Sequence, residues 1–411
     1  MTDFQVPEEI QAVIDSLLRF IEREVLPIEQ DHAPILADER DRYQRDGRLV
    51  PEALALRRRV RNLSYQAGFY TMFGAEELGG GGLGATAAVY VHEAMNRRFG
   101  PGHSLVKEIV IPSAFTNGLS PVLRFLSPPL RDRYLEDIAR GDKTLCFGLS
   151  EPDAGSDVFN MKTRAVLEGD EWVLNGTKQW ITNSPYADYG MFFAVTDPDR
   201  FKRRKGGITG FFIDTSTEGF KVTSTIPLMG HMGADIGIVS LENVRVPADH
   251  VLGTVHEGFD VAMSGVSTGR LGMAGSCVGL AEWALDRGLD YAKQRVTFGK
   301  PIGEHQAIQL HLAECAMDIY AAKNMVLNCA WQVDAEGKPT KELSMCKAFA
   351  TEMLFRVIDR IISIHGAMGL TNELQLEEGL RLARILRVPD GTGEIQRRTI
   401  ARQLLAGDTA F

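Results

Sequence analysis

The chain has 411 residues, enough for two or three domains or one large one with an ample core. Its 44% hydrophobic and 24% charged content is that of an ordinary globular protein, and no apolar run approaches a membrane span. A net charge of -9 argues against a nucleic-acid partner but allows a local basic patch for an anionic ligand.

Residues 7–30 carry Ile10, Val13, Ile14, Leu17, Leu18 and Ile21 at helical spacing, which predicts an amphipathic helix. With Glu8, Glu9, Asp15 and Glu22 it is neither a signal peptide nor an Arg-rich transit peptide, so a soluble cytoplasmic protein is expected. A charged connection over 31–49 leads to a predicted helix from Pro51 to about Ala67. Gly79, Gly81 and Gly84 satisfy G-x-G-x-x-G, and a helical stretch follows from Ala85 to about Arg97. No buried strand precedes them and no second strand with a terminal acid follows, so a loop between helices is the better reading. Helices are expected over Leu105–Leu126 and Leu130–Arg140, making residues 1–140 an all-helical domain.

At Gly141 the texture changes to short runs with period-two alternation. Glu171 to Thr182 reads as two strands joined through Asn175-Gly176 in a type I′ hairpin turn. Gly210-Phe-Phe-Ile, Phe220-Lys-Val-Thr and Ile238-Val-Ser-Leu add strands, predicting an antiparallel β domain over 141–255. From about 257 the pattern returns to long helices, near 257–295, 304–334 and 340–367. These suggest a four-helix bundle within a C-terminal domain, 256–411. The fold class is therefore α+β.

Cys146, Cys277, Cys315, Cys329 and Cys346 are scattered, and the nine histidines form no ligand pair, so no metal is expected. His305 and His365 each flank a candidate site, and a satisfied structural role is expected for both.

The stretch Leu-Arg-Val-Pro-Asp-Gly-Thr-Gly-Glu-Ile-Gln-Arg, 386–397, sets a lone carboxylate, Asp390, on a stiff turn between Pro389 and Gly391. Thr392 is read as the N-cap of a helix to Leu405, stopped at Gly407. A carboxylate held where a turn enters a helix suits a general base, although Pro-Asp-Gly is also ordinary turn vocabulary.

This stretch resembles the C-terminal signature of the acyl-CoA dehydrogenase family, usually Tyr-Glu-Gly-Thr, then Gln or Glu, then Ile-Gln-Arg. Asp390 stands where the family has its catalytic Glu. The resemblance covers nearly the whole chain and implies the family fold: an N-terminal helical domain, a middle antiparallel β domain and a C-terminal four-helix bundle. The extra C-terminal domain of the membrane-associated members is not expected. Glu-Glu-Leu-Gly-Gly-Gly-Gly near residue 80 matches the family's Glu-Tyr-Gly-Gly-x-Gly loop.

Residues 146–157, Cys-Phe-Gly-Leu-Ser-Glu-Pro-Asp-Ala-Gly-Ser-Asp, resemble the family's flavin segment. The match implies that Phe147, Leu149 and Ser150 contact the isoalloxazine of FAD and that Gly155 lets the backbone approach. Ser156 would touch the cofactor phosphates or the acyl-CoA. Trp180-Ile-Thr-Asn matches the second flavin segment, with Trp180 beside the ring, Thr182 near N5 and Ile181 among the contacts. Alone, Trp180 would read as sheet core.

Arg270 and Arg295 fall on one predicted helix, within about 20° of the same face and roughly 37 Å apart along its axis. Arg270 takes the position of the family arginine near the thioester and base. Arg295 resembles the arginine that clamps the flavin pyrophosphate of a neighbouring subunit, with Thr297, Phe298 and Gln306 assisting. Ser363-Ile-His-Gly-Ala-Met-Gly aligns with Gln-Ile-x-Gly-Gly-x-Gly over the adenosine. It keeps Gly366 and Gly369 but has Ser363 for the usual Gln. The resemblance also places Thr392 and Glu394 among the cofactor contacts and Gly391 beside the substrate.

The implied reaction is α,β-dehydrogenation of an acyl-CoA. Asp390 takes the α-proton, the β-hydrogen leaves as hydride to flavin N5, and an electron-transfer flavoprotein receives the electrons. The N–H of residue 390 and a flavin ribityl hydroxyl would bind the thioester oxygen as it gains charge. Aspartate draws the carboxylate back by roughly 1.5 Å relative to glutamate. Three explanations are open: a closer turn, a branched, cyclic or otherwise bulky acyl group, or a base elsewhere. A family subset carries its Glu near Arg270, but Ser267, Thr268 and Gly269 supply no carboxylate there. Other readings are an oxidase, nitroalkane oxidase-like or acyl-CoA oxidase, and a non-catalytic scaffold. A homo-oligomer is implied, and the long C-terminal helices favour a tetramer over a dimer.

Overall fold

The computed structural model describes residues 6–113, 115–229, 235–335 and 337–410, with all their side chains except those of Glu108 and residues 266–268. Ser267 and Thr268 therefore lie outside the described side chains. The longer helices are α1 Glu8–Phe20, α2 Pro51–Gln66, α3 Ala85–Phe99, α4 Pro128–Ala139, α5 Gly258–Gln294, α6 Gln306–Asp334, α7 Thr340–His365, α8 Leu376–Leu386 and α9 Gly393–Leu405. The strands are β1 Leu145–Gly148, β2 Arg164–Glu168, β3 Glu171–Thr182, β4 Tyr189–Val195, β5 Ile208–Asp214, β6 Phe220–Thr225, β7 Ile236–Pro247, β8 Val251–Leu252, β9 Val296–Thr297 and β10 Lys300–Pro301. They gather into two compact units that do not follow chain order. One holds described residues of 21–83 and 104–269, the other those of 6–20, 84–103 and 270–410.

The first unit is built on one sheet, ordered β6-β7-β3-β2-β4-β5-β8, with β1 also paired to β4. Pairing is antiparallel except for β1 with β4 and a single β2–β4 bridge, which are parallel. Every residue of β4 is buried, so the sheet is covered on both faces at that strand. Met191, Phe193 and Val195 join an apolar cluster with Leu130, Tyr134 and Ile138 of α4. Phe192 and Ala194 point the other way, into a cluster with Trp172, Leu174, Phe211, Val239 and Leu241.

Two sequence expectations fail here. No hairpin turns at Asn175-Gly176, because β3 runs unbroken through both residues. The chain instead reverses at Gly169-Asp170, pairing Glu168 with Glu171, with Gly169 at φ +67. Asn175 is used across the sheet, accepting from the Asn243 N–H at 2.9 Å, and the β3–β7 register shifts beside it. Gly176 is needed because a Cβ would sit 2.4 Å from Thr163 Oγ1. The second failure is Leu105–Leu126, whose described part forms only the short helix Lys107–Val110 and a 3₁₀ segment, Pro121–Phe125. Pro112, Gly118 and Pro121 interrupt the helical ladder there.

The glycines after Leu78 form a loop, as expected. The Gly81, Gly82 and Leu83 N–H groups donate to the carbonyls of Thr71, Gly74 and Met72, so the loop is tied to its own chain.

The second unit is helical apart from the β9–β10 hairpin. Helix α7 is its centre, with buried residues along most of its length, and packs on α6, α8 and α9. All five cysteines are buried and unbridged. Burial pushes the Cys277 thiol up to about 12 and raises Cys146 beyond that range.

Candidate active site

Helix α8 ends at Leu386 and α9 begins at Gly393, capped by Thr392, whose hydroxyl accepts from the Ile395 N–H at 3.4 Å. Between them Asp390 adopts φ +57 and Gly391 φ +95. A left-handed residue other than glycine costs ~1–2 kcal/mol, and Asp and Asn bear it best. Aspartate at 390 is thus consistent with its own backbone.

Three buried or half-buried donors hold this turn. Arg270 donates from Nε and Nη2 to the Asp390 carbonyl oxygen at 3.1 and 2.9 Å. Gln396, fully buried in α9, donates to the same oxygen at 3.0 Å and to the Gly391 carbonyl at 3.1 Å. Lys347, fully buried in α7, donates to the carbonyls of Arg387 at 3.0 Å and Gly391 at 2.8 Å. The Asp390 carboxylate makes no ion pair among the described residues. Burial raises its pKa to about 6, against the opposing charges of Arg270 and Lys347. Its N–H donates to no acceptor among the described residues.

A second feature of the same unit is a cleft of about 340 Å³, lined among others by Tyr291, Arg295, Thr297, Ser363 and Gly366. Sequence reasoning singled out the last four of these. Arg295 is exposed and follows the last residue of α5. The β9–β10 hairpin turns on Phe298 and Gly299, at φ +50 and +81, and displays the Phe298 ring at 97% exposure. Gln306 opens α6, exposed, and does not line the cleft. Ser363 donates back to Asp359 O at 3.0 Å, so its hydroxyl is spent within α7. His365 bonds Ile361 O at 2.8 Å through Nδ1 and stacks on Tyr291 at 4.4 Å, while His305 Nε2 bonds Thr297 O at 3.3 Å. Both histidines thus have the structural partners expected of them.

In the sheet-bearing unit, Phe147 packs between Phe115 and Phe193, each 5.1 Å away between ring centroids. Leu149 leans on the same apolar cluster, and Ser150 accepts from the Gln179 N–H at 3.0 Å. Gly155 and Ser156 are exposed, and a Cβ at Gly155 would meet nothing within 4 Å. Beneath this segment lies a pair that the sequence reading missed. Lys178 Nζ, fully buried, donates to Glu151 Oε1 at 2.9 Å and Leu149 O at 3.1 Å. Glu151 also accepts from the N–H groups of Lys162 and Thr163.

The β3–β7 register shifts again between Lys178 and Ile181, and Trp180 sits there at φ +66 and 52% exposure. The bulge turns the indole out, so Trp180 is not sheet core. Thr182 is exposed, whereas the Ile181 side chain is buried in the apolar cluster and only its main chain remains for a ligand.

Family models for the acyl-CoA dehydrogenase N-terminal, middle and C-terminal domains match residues 7–142, 146–244 and 256–405. The chain belongs to the acyl-CoA dehydrogenase family. It is an enzyme of that family, an oxidoreductase. It is 42% identical to the probable acyl-CoA dehydrogenase YngJ of Bacillus subtilis over 71% of this chain and 77% of that protein. It is 34% identical to (R)-benzylsuccinyl-CoA dehydrogenase of Thauera aromatica over 100% and 98% of the two chains. The structure of butyryl-CoA dehydrogenase from Megasphaera elsdenii overlays with a TM-score of 0.81 at 28% identity, covering 98% of this chain and 100% of that chain.

Members of this family are FAD-binding flavoproteins, and the residues here fit such a group. An out-turned indole at Trp180 and an unobstructed Gly155 suit a flat ring, and a cleft with an exposed arginine suits a pyrophosphate.

Proposed function

We propose that this acyl-CoA dehydrogenase oxidises the Cα–Cβ bond of an acyl-CoA whose acyl group is branched, cyclic or otherwise bulky, with Asp390 as the base. The observation that carries the reading is the Asp390 turn. Its carboxylate is raised to about 6 by burial and free of ion pairs among the described residues, while its carbonyl is clamped by Arg270. A carboxylate of that pKa is ionised at neutral pH yet a stronger base than an ordinary aspartate. The free Asp390 N–H would meet the thioester oxygen as it gains charge, lowering the cost of removing a weakly acidic α-proton. FAD, when bound, supplies the acceptor for the β-hydrogen, which leaves as hydride.

Phe147, Leu149, Ser150, Trp180 and Thr182 would hold the flavin ring, with Gly155 and Ser156 beside it. Arg295, Thr297, Phe298 and Gly366 would hold the pyrophosphate and adenosine of a neighbouring subunit's flavin, making the active enzyme a homo-oligomer. An electron-transfer flavoprotein would take the electrons. The retained flavin segments disfavour a scaffold. The bulky acyl group is supported by the shortened base and by full-length similarity to a benzylsuccinyl-CoA dehydrogenase.

The test is a panel of straight, branched and cyclic acyl-CoAs with an artificial electron acceptor, alongside anaerobic bleaching of the flavin. Preference for a bulky acyl-CoA with slow reoxidation in air is expected. Rapid reoxidation by air would make it an oxidase, and a colourless protein that refuses FAD would sink the reading.

A further inference from the structure

Lys347 shares a stripe of α7 with Ala350, Thr351, Leu354, Ile358 and Ile361, all buried. A lysine there is out of place unless something needs its charge, because a methionine of similar length would pack as well without desolvating an ammonium. Among the described residues it makes no ion pair, and its ammonium is spent on two main-chain oxygens, those of Arg387 and Gly391. These two carbonyls bracket Val388, Pro389 and Asp390, the last at φ +57. Arg270 and Gln396 fix the carbonyl of Asp390 itself. Lys347 fixes the turn on either side of it.

We propose that Lys347 is a positioning residue for the base. By tying the Arg387 and Gly391 carbonyls to α7, it holds the 387–391 turn in the conformation that aims the Asp390 carboxylate and N–H. This rests on Asp390 being the base. The charged and titratable groups around Lys347 are Asp390, Arg270, Cys277 and Arg387. Lys347 and Arg270 both favour the ionised carboxylate. The buried Cys277 thiol stays neutral. Burial brings the Lys347 ammonium itself down to about 8, so the clamp weakens in alkaline solution.

The experiment is the holoenzyme carrying Lys347→Met or Lys347→Arg, compared with Asp390→Asn. Lys347→Met is expected to lower kcat by roughly 10- to 100-fold, as misplacement of a reacting group does, with KM little changed. The acidic limb of its kcat/KM profile should also move to higher pH. Lys347→Arg, which keeps the cation, should leave that limb in place and recover part of the rate. A readout without turnover is the infrared band of the protonated Asp390 carboxyl, identified by its loss in Asp390→Asn, which should titrate higher in Lys347→Met. Should the Met variant not fold, Lys347→Gln makes the same comparison. Wild-type rate and limb in Lys347→Met, or a slower enzyme with an unmoved limb and band, would overturn the proposal. So would failure of all three Lys347 variants to fold, which would assign the residue to folding alone. Full activity in Asp390→Asn would instead remove the base assignment, whatever Lys347 does.

Discussion

Arg270 meets Asp390 at the main chain and not at the carboxylate: both its Nε and its Nη2 donate to the Asp390 carbonyl oxygen. A bidentate pair with the carboxylate would stabilise the ionised form and pull its pKa down, which would undo a base. Spending the guanidinium on the carbonyl fixes the turn and leaves the carboxylate available.

Asp390→Asn is expected to retain FAD and lose turnover by about 10²- to 10⁴-fold, the range general-base catalysis supplies. Flavin absorbance of the purified variant and kcat on the best acyl-CoA check both halves. In the wild type, kcat/KM should rise with pH through one ionisation near 6, set by Asp390 between Arg270 and Lys347. That limb should vanish from whatever activity the Asn variant retains.

The same carboxyl makes a prediction about stability. Its folded pKa lies above the unfolded value, so its contribution is complete below the ordinary aspartate value of 3.8 and is lost as pH rises through about 6. Asp390→Asn should therefore be more stable than the wild type at pH 8, by at most about 3 kcal/mol, and should lose that advantage by pH 4. Melting temperatures at the two pH values measure it.

Lys178 and Glu151 are a buried pair under the flavin segment. Lys178→Met leaves Glu151 charged and unpaired and is expected to cost about 3–5 kcal/mol, with weaker flavin retention. Burial would raise Glu151, but Lys178 and the Thr163 and Lys162 N–H groups override it and hold its pKa below the usual range. Its share of stability is thus present above the unfolded value and lost as pH falls through the depressed one. Denaturant unfolding of holoenzyme at pH 7 and pH 4 would show the variant's deficit shrinking at the lower pH.

Arg295→Ala should weaken FAD binding by about tenfold or more, the scale of a lost charge-assisted contact to phosphate, with little change in the melting temperature of flavin-free protein. Fluorescence of flavin released on dilution reads it. Unchanged release would move the pyrophosphate elsewhere.

Asp390→Glu should keep a base but advance it by about 1.5 Å, shifting preference from bulky towards straight acyl chains. Ratios of kcat/KM across the acyl panel decide the matter.

Much of this was legible in the chain. The helix expected from Pro51 to Ala67 is observed over Pro51–Gln66, and the Thr392 cap is where the sequence puts it. Periodicity and capping are local, so sequence carries them. The Asn175-Gly176 turn was misread because its local vocabulary is outweighed by pairing with β7, 60 or more residues away. Lys178 and Lys347 escaped because a lysine is read by default as solvated, and for Lys178 only the partners beneath it show otherwise. A helical wheel of α7 carries the missed signal, since Lys347 falls in the apolar stripe. Gln396 stands in the Ile-Gln-Arg signature, but its hold on the Asp390 turn, like the Tyr291–His365 stack, is not marked locally, because the partners come from other elements.

The folded chain keeps all five of its sulfhydryls from solvent. A maleimide dye should consequently leave the native protein unmarked and label it only as it opens. The order in which Cys146 in the sheet and the four helical cysteines take the label would report which part gives way first, with no engineered probe.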